Sequence, residues 1–512
     1  MSTVLLTDTQ TSITIILAIF LGVFLLWNSS SCNIPYFNPP RFWQLGKAKR
    51  DFITNGMEMI WAAKKRFPGQ PFRIMCDRGE VVVLPPHMAH EIRNESSLSF
   101  SKAMQMDFFT HLPGFKPIDH IAHKGEVLQH LARRPLTKYL NRVTKPLASE
   151  TTFAVNLIFG NLPVWKETLI LDSSLDLVAR LSTQIFLGDK LCRNEEWLRV
   201  AKEYTMDMFE GSRILSEVPG PLRYPYALFS PHLKALRSKV NRANQILQPV
   251  IEERRAFKEQ ERKAGRPVPV FNDALEWAEA ECRNIEYDAA GLQLNLANAA
   301  IHTSSDLLAK TLLLLSNEPA LIDPLREEIV RALQEYGWSK TALHYMKLLD
   351  SALKEAQRLL PTDWLVMRRI ATKDIHLKKE NIKIRKGQYV MVDYTTTMDS
   401  AVFKNPEKFD IYRWVRMRED PVLAHKAPLV STSELQLGFG HGMHACPGRF
   451  FAANELKIAL SYLLLNYDWE VTSGTSMKPW MFGSMPLVDP STTLRYRRRK
   501  AEINLDTLQC ET

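Results

Sequence analysis

Between Asp288 and Leu315 the chain has no proline and a single glycine, Gly291; Asn317 and Pro319 then close the stretch. Proline inside a helix removes a hydrogen bond and clashes with the preceding turn, so this stretch predicts one continuous helix. At about 1.5 Å per residue such a helix runs roughly 40 Å, enough to cross a whole domain. A body of that thickness needs a large core. The 512 residues, 45% hydrophobic and 24% charged, supply the material for one. No Gly/Ser linker and no internal repeat cuts the chain, so a single domain is expected over residues 51–512.

The rest of the pattern agrees with a helical body. Residues 126–317 are dominated by helical periodicity, and 234–264 read as a charged surface helix stopped by Gly265, Pro267 and Pro269. A further helix is expected over 348–359. Strand signals are sparse: 72–75 and 80–84 flank Asp77-Arg78-Gly79 as a hairpin, and 382–384 and 389–392 are short strands. The expected fold class is mainly α with a minor β portion.

The N-terminus differs in composition. Residues 13–27 (ITIILAIFLGVFLLW) are apolar apart from Thr14, a run that is short for a span. A cleaved signal peptide is the rival reading. However, no Lys or Arg precedes the run, whereas Arg41, Lys47, Lys49 and Arg50 follow it. That asymmetry puts the N-terminus outside and the body in the cytosol. Residues 1–30 are therefore expected to be an uncleaved single-pass transmembrane anchor. Residues 31–50, with Pro35, Pro39 and Pro40, form a stiff neck.

The net charge of +10 is modest for this length. Its densest run, Arg495 to Lys500, carries no accompanying nucleic-acid motif and reads as a solvated strand end; no nucleic-acid partner is expected. The surplus suits an acidic redox partner or anionic lipid instead. Six scattered cysteines without CxxC spacing are too few for a disulfide framework, which points to a reducing compartment.

The chemistry concentrates in residues 439–449, FGHGMHACPGR. Gly438, Gly440 and Gly442 permit a tight turn, and Pro447 suits the first position of a helix continuing from Arg449. Cys446 thus stands at a helix N-terminus, where free N–H groups and the dipole stabilise a thiolate. Such a thiolate can ligate haem iron. Three other readings stay open on these residues alone. The glycines resemble a phosphate loop but lack its lysine; His441, His444 and Cys446 are zinc donors without a nearby fourth ligand; and Cys446 is a structural core cysteine in the third.

This segment resembles the signature loop of the cytochrome P450 family, in which Phe439, Gly442, Cys446 and Gly448 hold the matching positions. The basic position, usually Arg, is His444, and the continuation PGRFFA over 447–452 is similar to that of many fungal members. Further features follow in the family's order. Glu355 and Arg358 match its E-x-x-R pair, and the stretch ending in Arg413 resembles the segment that supplies a third charged partner. Arg369 is similar to its propionate-binding arginine, with Arg368 in reserve, and His130 and Arg134 lie where another propionate pair is common. Ala299 to Ser304 resembles the oxygen-activating element, with Thr303 in the alcohol position, His302 replacing the usual acid and Ala300 the usual glycine. Histidine can also shuttle protons near neutral pH.

The resemblance implies a cytochrome P450 fold that binds haem b, with Cys446 as axial ligand and with Arg369, His444 and Phe439 in the cofactor cradle. Thr303 and His302 are the implied catalytic residues. It implies a monooxygenase using dioxygen, with electrons from NADPH through a separate NADPH-cytochrome reductase and cytochrome b5 as an optional second donor. The endoplasmic reticulum membrane is the expected location. Segments 108–115, 206–209, 363–367 and 485–492, rich in Phe, Met, Leu and Trp, are expected to line a pocket for a bulky apolar molecule. A terpenoid or meroterpenoid of fungal secondary metabolism fits, with polyketides and alkaloids open. A haem-thiolate isomerase or dehydratase needing no reductase, and a non-enzymatic haem-binding protein, are the alternatives.

Overall fold

The computed structural model describes residues 33–122, 126–138, 140–282 and 287–508. The predicted anchor over 13–27 lies outside them, and among the described residues no helix is long and apolar enough to cross a membrane. The proline-containing segment lies against the body. Ile34 is buried, and Arg73 N–H donates to the Pro35 carbonyl at 2.7 Å.

The central helix spans Ala289–Asn317 and is buried on nearly every side, with Leu292, Leu296, Leu308 and Leu312 all closed off. A helix apolar all round belongs inside a protein, not on its surface. Ile170–Leu187, Glu195–Glu217, Pro231–Lys263 and Lys347–Leu359 pack around it. Pro231–Lys263 starts with its proline in the first turn and buries only Leu233, Leu236, Ala243 and Leu247. Its remaining faces carry the charge that the sequence pattern predicts.

The predicted hairpin forms between β1 (Phe72–Cys76) and β2 (Gly79–Leu84), closed by Gly79 at φ +119°. With β3 (Leu98–Ser99), β4 (Leu365–Ala371) and β5 (Tyr389–Asp393) it builds a sheet of order β1-β2-β5-β4-β3. Only β2 and β5 run parallel. No alternation in the sequence announces β4, because its register shifts between Val366 and Arg369 and Met367 takes φ +53°. Such a bulge re-aims the side chains that follow it.

The basic run near the C-terminus is the strand Thr493–Arg498, central in a second sheet between Lys166–Leu169 and Tyr467–Val471. Arg495 pairs with Glu470 at 2.9 Å, Arg497 with Asp468 at 3.0 Å and Arg499 with Glu502 at 2.7 Å. Three of the five cations in the run are thus paired locally. Cys76, Cys192, Cys282 and Cys446 are all free thiols.

Candidate active site

Gly440 and Gly442 adopt φ +67° and +73°, conformations that side chains rarely allow. Space also demands glycine in this loop. A Cβ on Gly442 would lie 2.4 Å from the Arg93 carbonyl oxygen, and one on Gly438 would lie 2.4 Å from the Gln357 side chain. The loop is therefore pressed between Lys347–Leu359 and the segment after the short helix Ala89–Ile92. Cys446 N–H donates to the Phe439 carbonyl at 2.8 Å and closes the turn, while the Phe439 side chain packs half-buried against the core.

The helix after the cysteine is Arg449–Asn466, beginning two residues beyond Pro447. Backbone N–H groups of Gly448 and Arg449 do reach the Cys446 sulfur, as expected of a helix start. In the free thiol, burial nevertheless outweighs them and pushes its pKa up. The expectation that the helix end alone sustains a thiolate is corrected accordingly. A coordinated metal deprotonates a thiol outright, so a metal ion held by Cys446 would supply the missing compensation.

Beneath the loop the Glu355 network is complete. Arg358 grips the Glu355 carboxylate with two bonds of 2.8 and 2.9 Å, Arg413 Nε adds 2.9 Å, and Trp414 Nε1 adds 3.1 Å. The Glu355 and Arg358 side chains are fully buried. Bidentate charge-assisted bonds in a dry setting hold their partners rigidly. Gln357, on the same helix, connects through Gln436 to Tyr394 at the edge of the cysteine loop.

Two adjacent arginines on β4 behave in opposite ways. Arg368 bonds Asp107 at 3.1 Å and approaches Asp363 at 3.5 Å. Arg369, turned inward beyond the bulge, is 3% exposed, and no carboxylate pairs with it among the described residues. Its Nη1 donates to the Arg368 carbonyl at 2.7 Å, while its Nη2 has no partner. Burial depresses its pKa to about 10. A buried cation in that state calls for an anion.

Arg369 lies over the Phe100 ring at 5.6 Å, and Phe100 lies 6.2 Å from the His444 ring. Burial, with the Arg369 charge beside it, pushes the His444 pKa down to about 4. The ring is thus a neutral hydrogen-bonding group at ordinary pH, not the conditional cation that sequence reasoning suggests. His130 and Arg134 turn toward Glu281, at 4.0 and 3.9 Å. Arg133, which sequence reasoning passed over, reaches the loop instead and donates to the Met443 carbonyl at 3.0 Å. Helical phase decides between two neighbouring arginines, and a one-residue difference swings a side chain by about 100°.

On the central helix, Ala299 and Thr303 are accessible although the turns around them are buried. They sit one turn apart on one face, so that face is left uncovered by the surrounding elements. The Thr303 hydroxyl donates to the Ala299 carbonyl at 2.8 Å. His302 points elsewhere: its Nε2 lies 3.2 Å from the Lys202 carbonyl on Glu195–Glu217. Burial lowers its pKa, so the ring is neutral. Further along the helix Lys310 bonds Asp306 at 2.5 Å and the Pro361 carbonyl at 3.2 Å, while Asp306 accepts from Val488 N–H. This buried pair had no signal in the sequence beyond its i, i+4 spacing.

Two of the predicted pocket segments, 108–115 and 206–209, meet directly. Phe108 packs edge-on against Phe209 at 5.3 Å. Ser484, next to 485–492, bonds Asp363 at 2.6 Å, and Trp364 N–H donates to the Ser484 carbonyl at 2.9 Å.

Residues 35–495 match the family model described as Cytochrome P450. The chain is 41% identical to Cytochrome P450 monooxygenase hepE of Aspergillus oryzae, covering 92% of this chain and 86% of that protein. It is 39% identical to Cytochrome P450 monooxygenase TRI1 of Fusarium sporotrichioides, with the same coverage. Identity is 36% to Dihydromonacolin L monooxygenase LovA of Aspergillus terreus, covering 92% and 90%. In fold it is similar to retinoic acid-bound cyanobacterial CYP120A1, with a TM-score of 0.62 at 16% identity, covering 91% of this chain and 99% of that one.

Proposed function

Because this chain belongs to the cytochrome P450 family and is a haem-dependent monooxygenase, we propose that it oxidises a bulky apolar natural-product intermediate, a terpenoid or meroterpenoid, in fungal secondary metabolism. The oxidation is a hydroxylation, an epoxidation or a succession of such steps. The observation that carries this reading is the accessible Ala299–Thr303 face inside an otherwise buried helix, near segments rich in aromatic and methionine side chains. The name of one relative, Dihydromonacolin L monooxygenase, supports a small organic substrate without specifying its class.

The residues present fit a haem. Cys446 offers the thiolate, and the unpartnered Arg369 guanidinium, with Arg133 and the neutral His444, offers what two propionates require. When bound, haem supplies the one-electron chemistry and dioxygen activation that side chains lack. The rest falls to the chain. Phe439 and the three loop glycines hold Cys446 in place, and the Glu355–Arg358–Arg413 network keeps the loop from shifting. The Thr303 hydroxyl would hold a proton on the accessible face of the central helix, whereas His302, engaged by the Lys202 carbonyl, is directed away from that face, so the proton relay expected of it in the sequence is not supported by its position.

Electrons come from NADPH through a reductase, for which the NADPH-cytochrome reductase, with cytochrome b5 as second donor, is the proposed partner. Residues 1–30 anchor the protein in the endoplasmic reticulum membrane with the catalytic body in the cytosol. That reading rests on the apolar run 13–27 and the basic residues after it. Incubating microsomes that contain the reductase with candidate terpenoid and meroterpenoid intermediates tests the proposal. The expected result is an oxygenated product that requires NADPH and disappears with Cys446→Ala. Turnover without NADPH would indicate an isomerase or dehydratase instead.

A further inference from the structure

In the sequence, His441, His444 and Cys446 stand together as metal donors lacking a fourth partner. The fold separates them. His444 turns toward Phe100 and Arg369, and Cys446 precedes its helix. His441 meets two donors from distant parts of the chain. One nitrogen of His441, one of His90 and a carboxylate oxygen of Glu434 all lie within 4.8 Å of one another. His90 belongs to the short helix Ala89–Ile92, and Glu434 sits in the tight turn closed by the Ser433–Gln436 bridge.

We infer that His90, Glu434 and His441 form a binding site for a divalent transition-metal ion, zinc by the chemistry of the donors, beside the cysteine loop. An independent observation supports it: His441 is 6% exposed and its Nε2 has no hydrogen-bond partner. Its Nδ1 lies 3.1 Å from the Thr432 hydroxyl. A ligand histidine has this arrangement, with one nitrogen oriented by a neighbour and the other left for the metal. Buried polar atoms without partners are uncommon and require a cause.

Two imidazoles and a carboxylate suit zinc, whereas magnesium and calcium prefer oxygen donors throughout. His90 is exposed, so water can fill a fourth position. Bonds of about 2.0–2.1 Å place tetrahedral zinc ligands roughly 3.4 Å apart. The trio must therefore close slightly, and the exposed His90 ring is free to do so. Two cations oppose the ion: Arg93 faces His441, and Lys426 holds Glu434 Oε1 at 3.0 Å. Lys426 still leaves the second carboxylate oxygen to the metal. The segment bearing His90 is already tied to the loop, since Met443 N–H donates to the Arg93 carbonyl and to Asn94 Oδ1. Zinc adds a cross-link between that segment and the loop carrying Cys446.

The test is zinc binding by the full-length, haem-loaded protein after chelator treatment. Affinity is measured by competition with a fluorescent zinc chelator, and bound zinc is counted against haem iron by elemental analysis. The expected result is a single zinc ion per chain. Thr432→Val, which removes the orienting hydroxyl, should weaken it about 10- to 100-fold. His90→Ala and Glu434→Gln should weaken it at least as much, with the haem absorption spectrum unchanged in all three. A wild-type chain that takes up no zinc overturns the site. So does zinc held equally by His90→Ala and Glu434→Gln, which would mark adventitious surface binding.

Discussion

Replacing Arg369 by methionine separates the protein without cofactor from the protein with it. The guanidinium is almost fully enclosed, lacks a carboxylate partner among the described residues, and has its pKa pushed down to about 10 by burial. At about 1.4 kcal/mol per pH unit, that depression corresponds to roughly 3 kcal/mol of destabilisation of the haem-free chain. For a cation whose folded pKa lies below its unfolded one, the penalty is complete at every pH below about 10 and fades only in stronger alkali. A propionate offsets it through charge-assisted bonds of about 1.5–3 kcal/mol each. Methionine has similar reach and no charge to bury. Arg369→Met should therefore stabilise the haem-free chain by up to about 3 kcal/mol and weaken haem binding by about two orders of magnitude. Thermal unfolding reports the first effect, and the rate of haem transfer to excess apomyoglobin reports the second. Arg368→Met is the control: it breaks the Asp107 and Asp363 contacts, so it should lower stability without hastening haem loss. Haem held as long by Arg369→Met as by the wild type, or released by Arg368→Met instead, would refute the reasoning.

Three further outcomes are expected. Thr303→Ala should leave haem content intact while diverting NADPH and dioxygen to hydrogen peroxide, and product formation should fall by about 10²–10⁴-fold. His302→Ala, which loses the contact to the Lys202 carbonyl, should lower thermal stability and leave coupling unchanged; peroxide yield measured beside product decides, and unchanged coupling in Thr303→Ala would remove that residue from proton handling. Glu455 is fully buried and bonded to Ser182 at 2.6 Å, and burial raises its pKa to about 8. A carboxyl whose folded pKa is raised favours folding most below its unfolded pKa, and that advantage is lost as pH climbs toward 8. Glu455→Gln should therefore flatten the fall in thermal stability between about pH 5 and 8; an unchanged slope would show that another group titrates there.

Much of the site was legible in the sequence because its signals are local. A proline-free stretch specifies a long helix whatever surrounds it, and the glycine spacing around Cys446 specifies a turn that only glycine can make. The i, i+3 spacing of Glu355 and Arg358 puts both on one helix face before any packing is known. The hairpin at Asp77-Arg78-Gly79 is of the same kind. Each rests on backbone sterics or helical period, which a few neighbouring residues settle.

Tertiary structure decided the direction of side chains and their partners. Which of Arg368 and Arg369 turns inward depends on a bulge at Met367, created by pairing with the distant strand Tyr389–Asp393. Arg133, not Arg134, reaches the cysteine loop because of the phase at which its helix docks. His302 bonds the Lys202 carbonyl, and His441 meets His90 and Glu434, through contacts that no local spacing encodes. Burial then sets the charge states, leaving His444 neutral and Arg369 in need of an anion. Local sterics determine which elements form, but the energy of a buried polar group depends on every chain segment that encloses it, and only the assembled fold specifies those.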